Sequence, residues 1–311
     1  MKRIILSTLL IFSISLTAIA QTAPEFYQVA MQAKAKVDYA GALKLLNKAI
    51  DLEPMNQFYL LERGNLYLDL ERYGKAKDDF DEAIRIDSMY IDAYIGRSAY
   101  FRQVNLIDSA LYSASLARIL SEDILSESKS KTALGEVYLV DGKDSLALVY
   151  FLESLQLDTT NVTGYKKAAQ LLSAKDDHLY ANEMLRKAYD YDDRDLEILI
   201  NLAYTSNETE EYREALKFSN MALELDPHHP ASLSNRAYAY LHVKQIDLAL
   251  KDIKKSLAND KSNPMSHRYA GEIYKAKNDD AKACKHFKMA QNLGYELLYG
   301  DDLVGLMGGC E

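Results

Sequence analysis

Two cysteines, six histidines and 46 carboxylates are the side chains of this sequence that could carry chemistry. Cys284 and Cys310 form an even pair near the C-terminus. In an oxidising compartment such a pair invites a disulfide that would pin the C-terminal segment, worth roughly 3 kcal/mol in a chain-entropy account. Two free thiols, one on a helix and one on a loose tail, are the alternative. The histidines are His178, His228, His229, His242, His267 and His286. His228 and His229 are adjacent on a turn, with no third ligand three or four residues away, so no metal site is expected there. The other four are scattered and suggest no cluster. No nucleophile elbow, P-loop, zinc-protease helix or dinucleotide glycine pattern occurs. The carboxylates fall on helix faces, where acids more often serve as solvated surface than as acid/base couples. Neither an enzyme nor a cofactor is expected.

The elements that hold these residues follow a short leader. Residues 1–20 read as a secretory signal peptide: Lys2 and Arg3, an apolar run from Ile4 to Leu16, then Ala18-Ile19-Ala20 before Gln21. The apolar run is short for a bilayer span, so cleavage after Ala20 and a periplasmic or secreted location are expected. No later stretch is long enough to span a membrane. The full chain carries a formal charge of −9, and loss of Lys2 and Arg3 makes it more acidic. Phosphate binding needs a basic surface, so nucleic acid is not an expected partner.

From Ala23 onward one pattern returns with a 34-residue period. The stretch Asp38 to Pro54 (DYAGALKLLNKAIDLEP) reappears as Glu211 to Pro227 (EYREALKFSNMALELDP). The units are Ala23–Asn56, Gln57–Tyr90, Ile91–Ile124, then, after three inserted residues, Ser128–Asn161, Val162–Asp195, Leu196–His229, Pro230–Asn263 and Pro264–Leu297. The eighth position is small in every unit: Ala30, Gly64, Ser98, Gly135, Ala169, Ala203, Ala237 and Gly271. The twentieth is always alanine, from Ala42 to Ala283, and the twenty-seventh is Ala or Ser, from Ala49 to Ala290. Small side chains let two helix backbones approach while large neighbours such as Phe80, Phe151 and Phe287 fill the flanking grooves. Asp108-Ser109 and Asp144-Ser145 are expected to cap the helices that follow them. Ser206 and Ser219 are expected to leave the sixth unit thinly packed.

This pattern resembles the tetratricopeptide repeat family over Ala23 to Leu297. The resemblance implies an all-α fold, a right-handed superhelical solenoid of about eight helix-turn-helix repeats. The domain reading is a leader at 1–20, a solenoid at 21–297 and a C-terminal cap at 298–311. The late cysteine after ACKHFKMAQNLGY is similar to the ends of secreted Bacteroidetes-type repeat proteins. Asp-Ser and Asp-Thr pairs at Asp87, Asp108, Asp144 and Asp158 resemble O-glycosylation sites of such proteins, although turn and cap roles account for them better. Asn161-Val162-Thr163 and Asn207-Glu208-Thr209 match the N-glycan acceptor pattern.

The family geometry further implies a groove lined by the first helix of each unit. Its residues here are Tyr27, Asn65, Ile95, Arg102, Lys166, Tyr204, Tyr238 and Arg268, with Tyr204, Tyr238 and Arg102 as the foremost anchors because aromatic and arginine side chains most often carry binding energy. Lys166, Gln170 and Asn201 only partly match the carboxylate grip of some relatives, which is therefore not expected. The function that follows is an exported scaffold holding a protein or peptide segment in its groove. The alternative is an envelope module that binds cell-wall or glycan fragments on the same face.

Overall fold

A computed structural model describes residues 22–300 and 302–310. The signal-peptide reading falls outside these residues. The chain divides into two compact units, one ending at Val104 and the other starting at Asn105. The N-terminal unit holds α1 (Ala23–Ala35), α2 (Tyr39–Leu52), α3 (Gln57–Asp69), α4 (Tyr73–Ile86) and α5 (Ile91–Gln103). The C-terminal unit holds α6 (Ile107–Leu120), α7 (Ile124–Val140), α8 (Asp144–Leu157), α9 (Val162–Ser173), α10 (His178–Tyr191), α11 (Leu196–Glu208) and α12 (Tyr212–Leu225). It continues with α13 (Pro230–His242), α14 (Ile246–Asn259), α15 (Pro264–Ala276), α16 (Asp280–Asn292), α17 (Tyr295–Tyr299) and α18 (Asp302–Leu306). No strand occurs among the described residues. None of these helices is long and apolar enough to cross a membrane.

Seven of the eight first helices begin at the first residue of a 34-residue unit. The exception is α7, which absorbs the three inserted residues by starting at Ile124 and running for 17 residues. The three small-residue columns are buried throughout, from Ala30, Ala42 and Ala49 to Ala283 and Ala290. Phe80 and Phe151 are fully buried. A Cβ built on Gly64 or Gly96 would lie 2.7 or 2.6 Å from the Phe80 ring, so this aromatic is nested between two glycines.

The turns inside the units share one backbone feature. The fifteenth residue of each unit is left-handed: Val37, Glu71, Asn105, Gly142, Asp176, Glu210, Lys244 and Asn278 have φ of 63, 56, 57, 71, 61, 61, 65 and 58°. In seven of these turns the next amide then reaches back five residues, as in Asp38 N to Ala33 O at 2.9 Å and Arg72 N to Tyr67 O at 2.8 Å. This satisfies a carbonyl that the helix end would otherwise leave open. Only Gly142 among the eight is a glycine, so the others hold a conformation that L side chains disfavour.

Two expected caps are not formed. Asp108 and Asp144 lie inside the first turns of α6 and α8, whose cap positions are Leu106 and Lys143 without a side-chain bond. The backbone turn sets the helix start one or two residues earlier than the acidic pair. Asp87 and Asp158 do close the turns that follow α4 and α8, accepting from Met89 N and Thr160 N at 2.9 Å each. Both N-glycan patterns are structurally committed. Asn161 caps α9 through Gly164 N at 2.9 Å, and Asn207 is only 2 % exposed.

Candidate functional site

In the C-terminal unit successive first helices contribute residues to one inner face, chiefly from their second, fifth, sixth and ninth positions. A cavity of about 400 Å³ opens there. Gln170, Ser173 and Ala174 line it from α9 and its end, Ile200, Asn201 and Tyr204 from α11, Ala231, Ser234 and Asn235 from α13, and Asn263 and Met265 from the start of α15. Leu298 and Tyr299 of α17 supply another wall. None of the lining residues is charged. The site therefore offers amides, hydroxyls and apolar surface, a set suited to an uncharged ligand or to peptide backbone.

Two of the four amides are engaged in holding the helices. Asn235 donates to Ile200 O at 3.2 Å and accepts through its backbone carbonyl from Asn207 Nδ2 at 2.9 Å, so it ties α13 to α11. Asn263 caps α15 through Ser266 N at 3.1 Å. Tyr204 is stacked edge-on by His178 at 5.6 Å, and burial holds its phenol well above the ordinary tyrosine range.

The sequence-predicted residues fare unequally. Tyr204 lines the cavity. Lys166 points to Asp195 and Glu197 at 2.8 and 2.5 Å. Burial works against its charge, but these two carboxylates hold its pKa above the ordinary lysine value. A lysine so neutralised cannot grip a carboxylate terminus. Tyr238 is 8 % exposed and stacks on Tyr269 at 4.1 Å. Arg268 lies 3.0 Å from Glu272 and over the rings of Tyr238 and Tyr269 at 5.2 and 5.3 Å. Both pack against Tyr269, in the core cluster that Tyr295 and Leu303 of the C-terminal segment also enter. In the N-terminal unit, Tyr27 is half-buried and packs on Phe58 and Tyr59 at 4.9 and 5.7 Å. Asn65, Ile95 and Arg102 are half-buried on α3 and α5.

Sequence reasoning missed other groups. His267 and His286 are not scattered: their Nδ1 atoms lie 3.0 Å apart. His267 Nε2 is 3.1 Å from Lys261 O, which can only accept, so His267 carries its proton on Nε2 and His286 donates from Nδ1. Burial lowers both pKa values, His286 to about 4. These residues sit nineteen apart on two helices, a spacing with no local signature. In the sixth unit the two serines expected to leave thin packing differ: the buried Ser219 hydroxyl has no hydrogen-bond partner among the described residues, whereas Ser206 is engaged. Ser206 and Thr205 accept from Asn182 Nδ2 at 3.2 and 2.8 Å in a buried polar cluster. Finally, Arg63 forks onto Asp79 at 2.8 and 2.7 Å and reaches Asn47 at 2.8 Å. The same triad returns as Arg236, Asp252 and Asn220. This repetition marks the arginines as structural.

No group of three or more His, Cys, Asp or Glu residues placed to hold a metal ion occurs among the described residues. Cys284 and Cys310 are disulfide-bonded, with Cα atoms 5.3 Å apart.

Comparison with known proteins agrees with this architecture. A tetratricopeptide repeat model matches residues 59–88. Over 66 residues the chain is 44% identical to serine/threonine-protein phosphatase 5 of Homo sapiens, covering 21% of this chain and 13% of that protein. Over 258 residues it is 22% identical to anaphase-promoting complex subunit 3 of Schizosaccharomyces pombe, covering 82% of this chain and 28% of that protein. Among solved structures, the crystal structure of the APC/C hetero-tetramer Cut9–Hcn1 matches with a TM-score of 0.64 at 16% identity, covering 86% of this chain and 52% of that one. The chain thus spans less than a third of the length of these two curated relatives. It carries a tetratricopeptide repeat at residues 59–88 and is built from consecutive helix pairs, the fold of the Cut9–Hcn1 structure.

Proposed function

We propose that this protein is a non-catalytic scaffold that holds a segment of a protein partner against the inner face of residues 105–310. One observation carries the reading. The cavity on that face is drawn from four successive first helices, and amides and hydroxyls line it without a single charge. Peptide backbone presents donors and acceptors along its length, and amide side chains on successive helices can meet both. Gln170 and Asn201 are the residues we assign to this contact, with Tyr204 as the aromatic anchor. The matched relatives support the reading at the level of class, since one of them is by its printed name a subunit of a larger complex.

Export to the periplasm or beyond accompanies the reading, on the strength of residues 1–20. Mass analysis of the protein isolated from its own cells tests this, and a chain still carrying Met1 to Ala20 would refute export by cleavage. For the groove, a photo-crosslinking residue at position 170 should capture a partner that the same residue at exposed Leu179 does not. Changing Asn201 and Tyr204 to alanine should reduce capture at least tenfold. Equal capture from both positions would remove the inner face from consideration.

A second reading is favoured by Tyr204 and Tyr299 beside these amides: aromatic faces with neutral hydrogen-bonding groups also suit cell-wall or glycan fragments. Retention on purified cell wall, lost in the same variants and without a protein partner, would select it.

A further inference from the structure

We propose that residues 295–310 are a disulfide-held internal occupant of the inner face, displaced when the Cys284–Cys310 bond is reduced. The external ligand would then be a short helical segment of the same chemistry, with tyrosine and leucine one turn apart. This deepens the groove reading above and rests on it.

The path of the chain carries the argument. Gly294, at φ 82°, ends α16 and donates its amide to Gln291 O at 2.9 Å. The chain then turns back. Leu298 and Tyr299 close a cavity whose other walls belong to α9, α11, α13 and the start of α15. Tyr295 is 2 % exposed and stacks on Tyr299 with ring centroids 5.1 Å apart. Leu303 is fully buried, Lys275 Nζ donates to Leu306 O at 3.4 Å, and Cys310 returns the segment to α16. The occupant nevertheless fits incompletely. Leu297 and Leu298 remain 90 % and 60 % exposed, and the cavity beside them stays open. Tyr295 and Leu303 anchor the segment in the neighbouring core cluster, and the tether adds to that hold by keeping its local concentration high.

The tether is reachable. Both cysteines are half-buried, and Cys284 lines a surface cleft with Lys285, Lys288 and Gly309. Ammonium groups beside a sulfur favour its thiolate and make it a better leaving group. A dithiol reductant supplies the balance. Its thiolate attacks one sulfur and displaces the other as a thiolate, and its second thiol then resolves the mixed disulfide. Two electrons and two protons pass to Cys284 and Cys310, and the reductant leaves as a cyclic disulfide.

The test uses the full chain, oxidised and after dithiothreitol, with hydrogen exchange at residues 295–306 as the first readout. The second is binding of a fluorescein-labelled peptide GYELLYGDDLVGL, the sequence of residues 294–306. To disable the chain's own anchors, binding to the reduced Leu298→Ala, Tyr299→Ala variant is compared with binding to the oxidised natural chain. Reduction should raise exchange across 295–306 at least tenfold with the remaining helices intact by circular dichroism, and the peptide should bind the reduced variant at least tenfold more tightly. A Cys284→Ser, Cys310→Ser chain should show the same exchange without reductant. Unchanged exchange would make the segment a fixed cap and overturn the proposal. So would raised exchange without peptide binding, or a general loss of helix on reduction. Because the probe is the chain's own sequence, failure to capture an outside partner at position 170 leaves this result standing.

Discussion

The seam between paired helices and the inner face of residues 105–310 obey opposite rules. Along the seam every unit repeats the same chemistry, because two backbones can meet only where side chains are small and the flanking grooves are filled. Alanine holds the twentieth position in all eight units, and each copy is buried. On the inner face the ninth position reads Gln170, Tyr204, Tyr238 and Glu272 in four successive units. That position is used differently from unit to unit: Gln170 and Tyr204 line the cavity, whereas Tyr238 packs on Tyr269 and Glu272 pairs with Arg268. The lesson is that periodicity locates the wall, and its interruption locates the candidate site.

The seam can be broken most severely at Phe80. It is fully buried between Gly64 and Gly96, so Phe80→Ala should cost about 3–5 kcal/mol in chemical denaturation, with its cavity unable to collapse around two glycines. A cost below about 1 kcal/mol would show that the aromatic is not what the glycine columns accommodate. Next in size is Arg236→Ala. It strips the fork from Asp252, whose side chain is 5% exposed, and should cost about 3 kcal/mol. Its repeat counterpart, Arg63→Ala, should behave alike through Asp79, and unequal losses would break the equivalence of the two triads.

A third test concerns His267 and His286, where the last unit departs from the common pattern. Their folded-state pKa values are depressed by burial, so the unfolded chain binds more protons between the folded and unfolded values. The neutral pair therefore contributes its full stability above about pH 6.5, the ordinary histidine value, and loses it as pH falls toward about 4. The melting temperature should drop across this window, and His286→Phe should flatten the drop while keeping the stack on Tyr274. An unchanged slope in that variant would assign the acid sensitivity elsewhere. The smallest effect is a gain: Val37 is β-branched at φ 63°, and Val37→Gly should stabilise by about 1 kcal/mol, whereas glycine is already present at the equivalent Gly142. Paired melting curves of the two chains check this, and a loss of stability would mean that the turn tolerates valine without strain.

Much of the fold was legible in residues alone, since its determinants are local and repeated eight times. The insertion after Ile124 was visible as a break in period, but its resolution as a longer α7 required the structure, because nothing local states whether added residues extend a helix or a turn. The helix starts at Asp108 and Asp144 were misplaced for a related reason. The left-handed residue of the preceding turn governs them, and seven of the eight turns hide it behind ordinary side chains. Of the groove residues, Tyr204 lines the cavity, whereas Lys166, Tyr238 and Arg268 have partners drawn from other helices that satisfy or cover them.

By itself, then, the sequence determined the helix pairs, their period and the small-residue seams, because those follow from spacing within 34 residues. Tertiary structure alone decided which polar side chains face one another, as with His267 and His286, Asn182 and Thr205, or Arg236 and Asp252. It also decided where the C-terminal segment lies. Read in order, Leu298 and Tyr299 follow the last repeat as a tail; folded, they wall a cavity shared with residues as distant in the chain as Ala169. A contact across that distance depends on how successive helix pairs stack, and no local pattern encodes it.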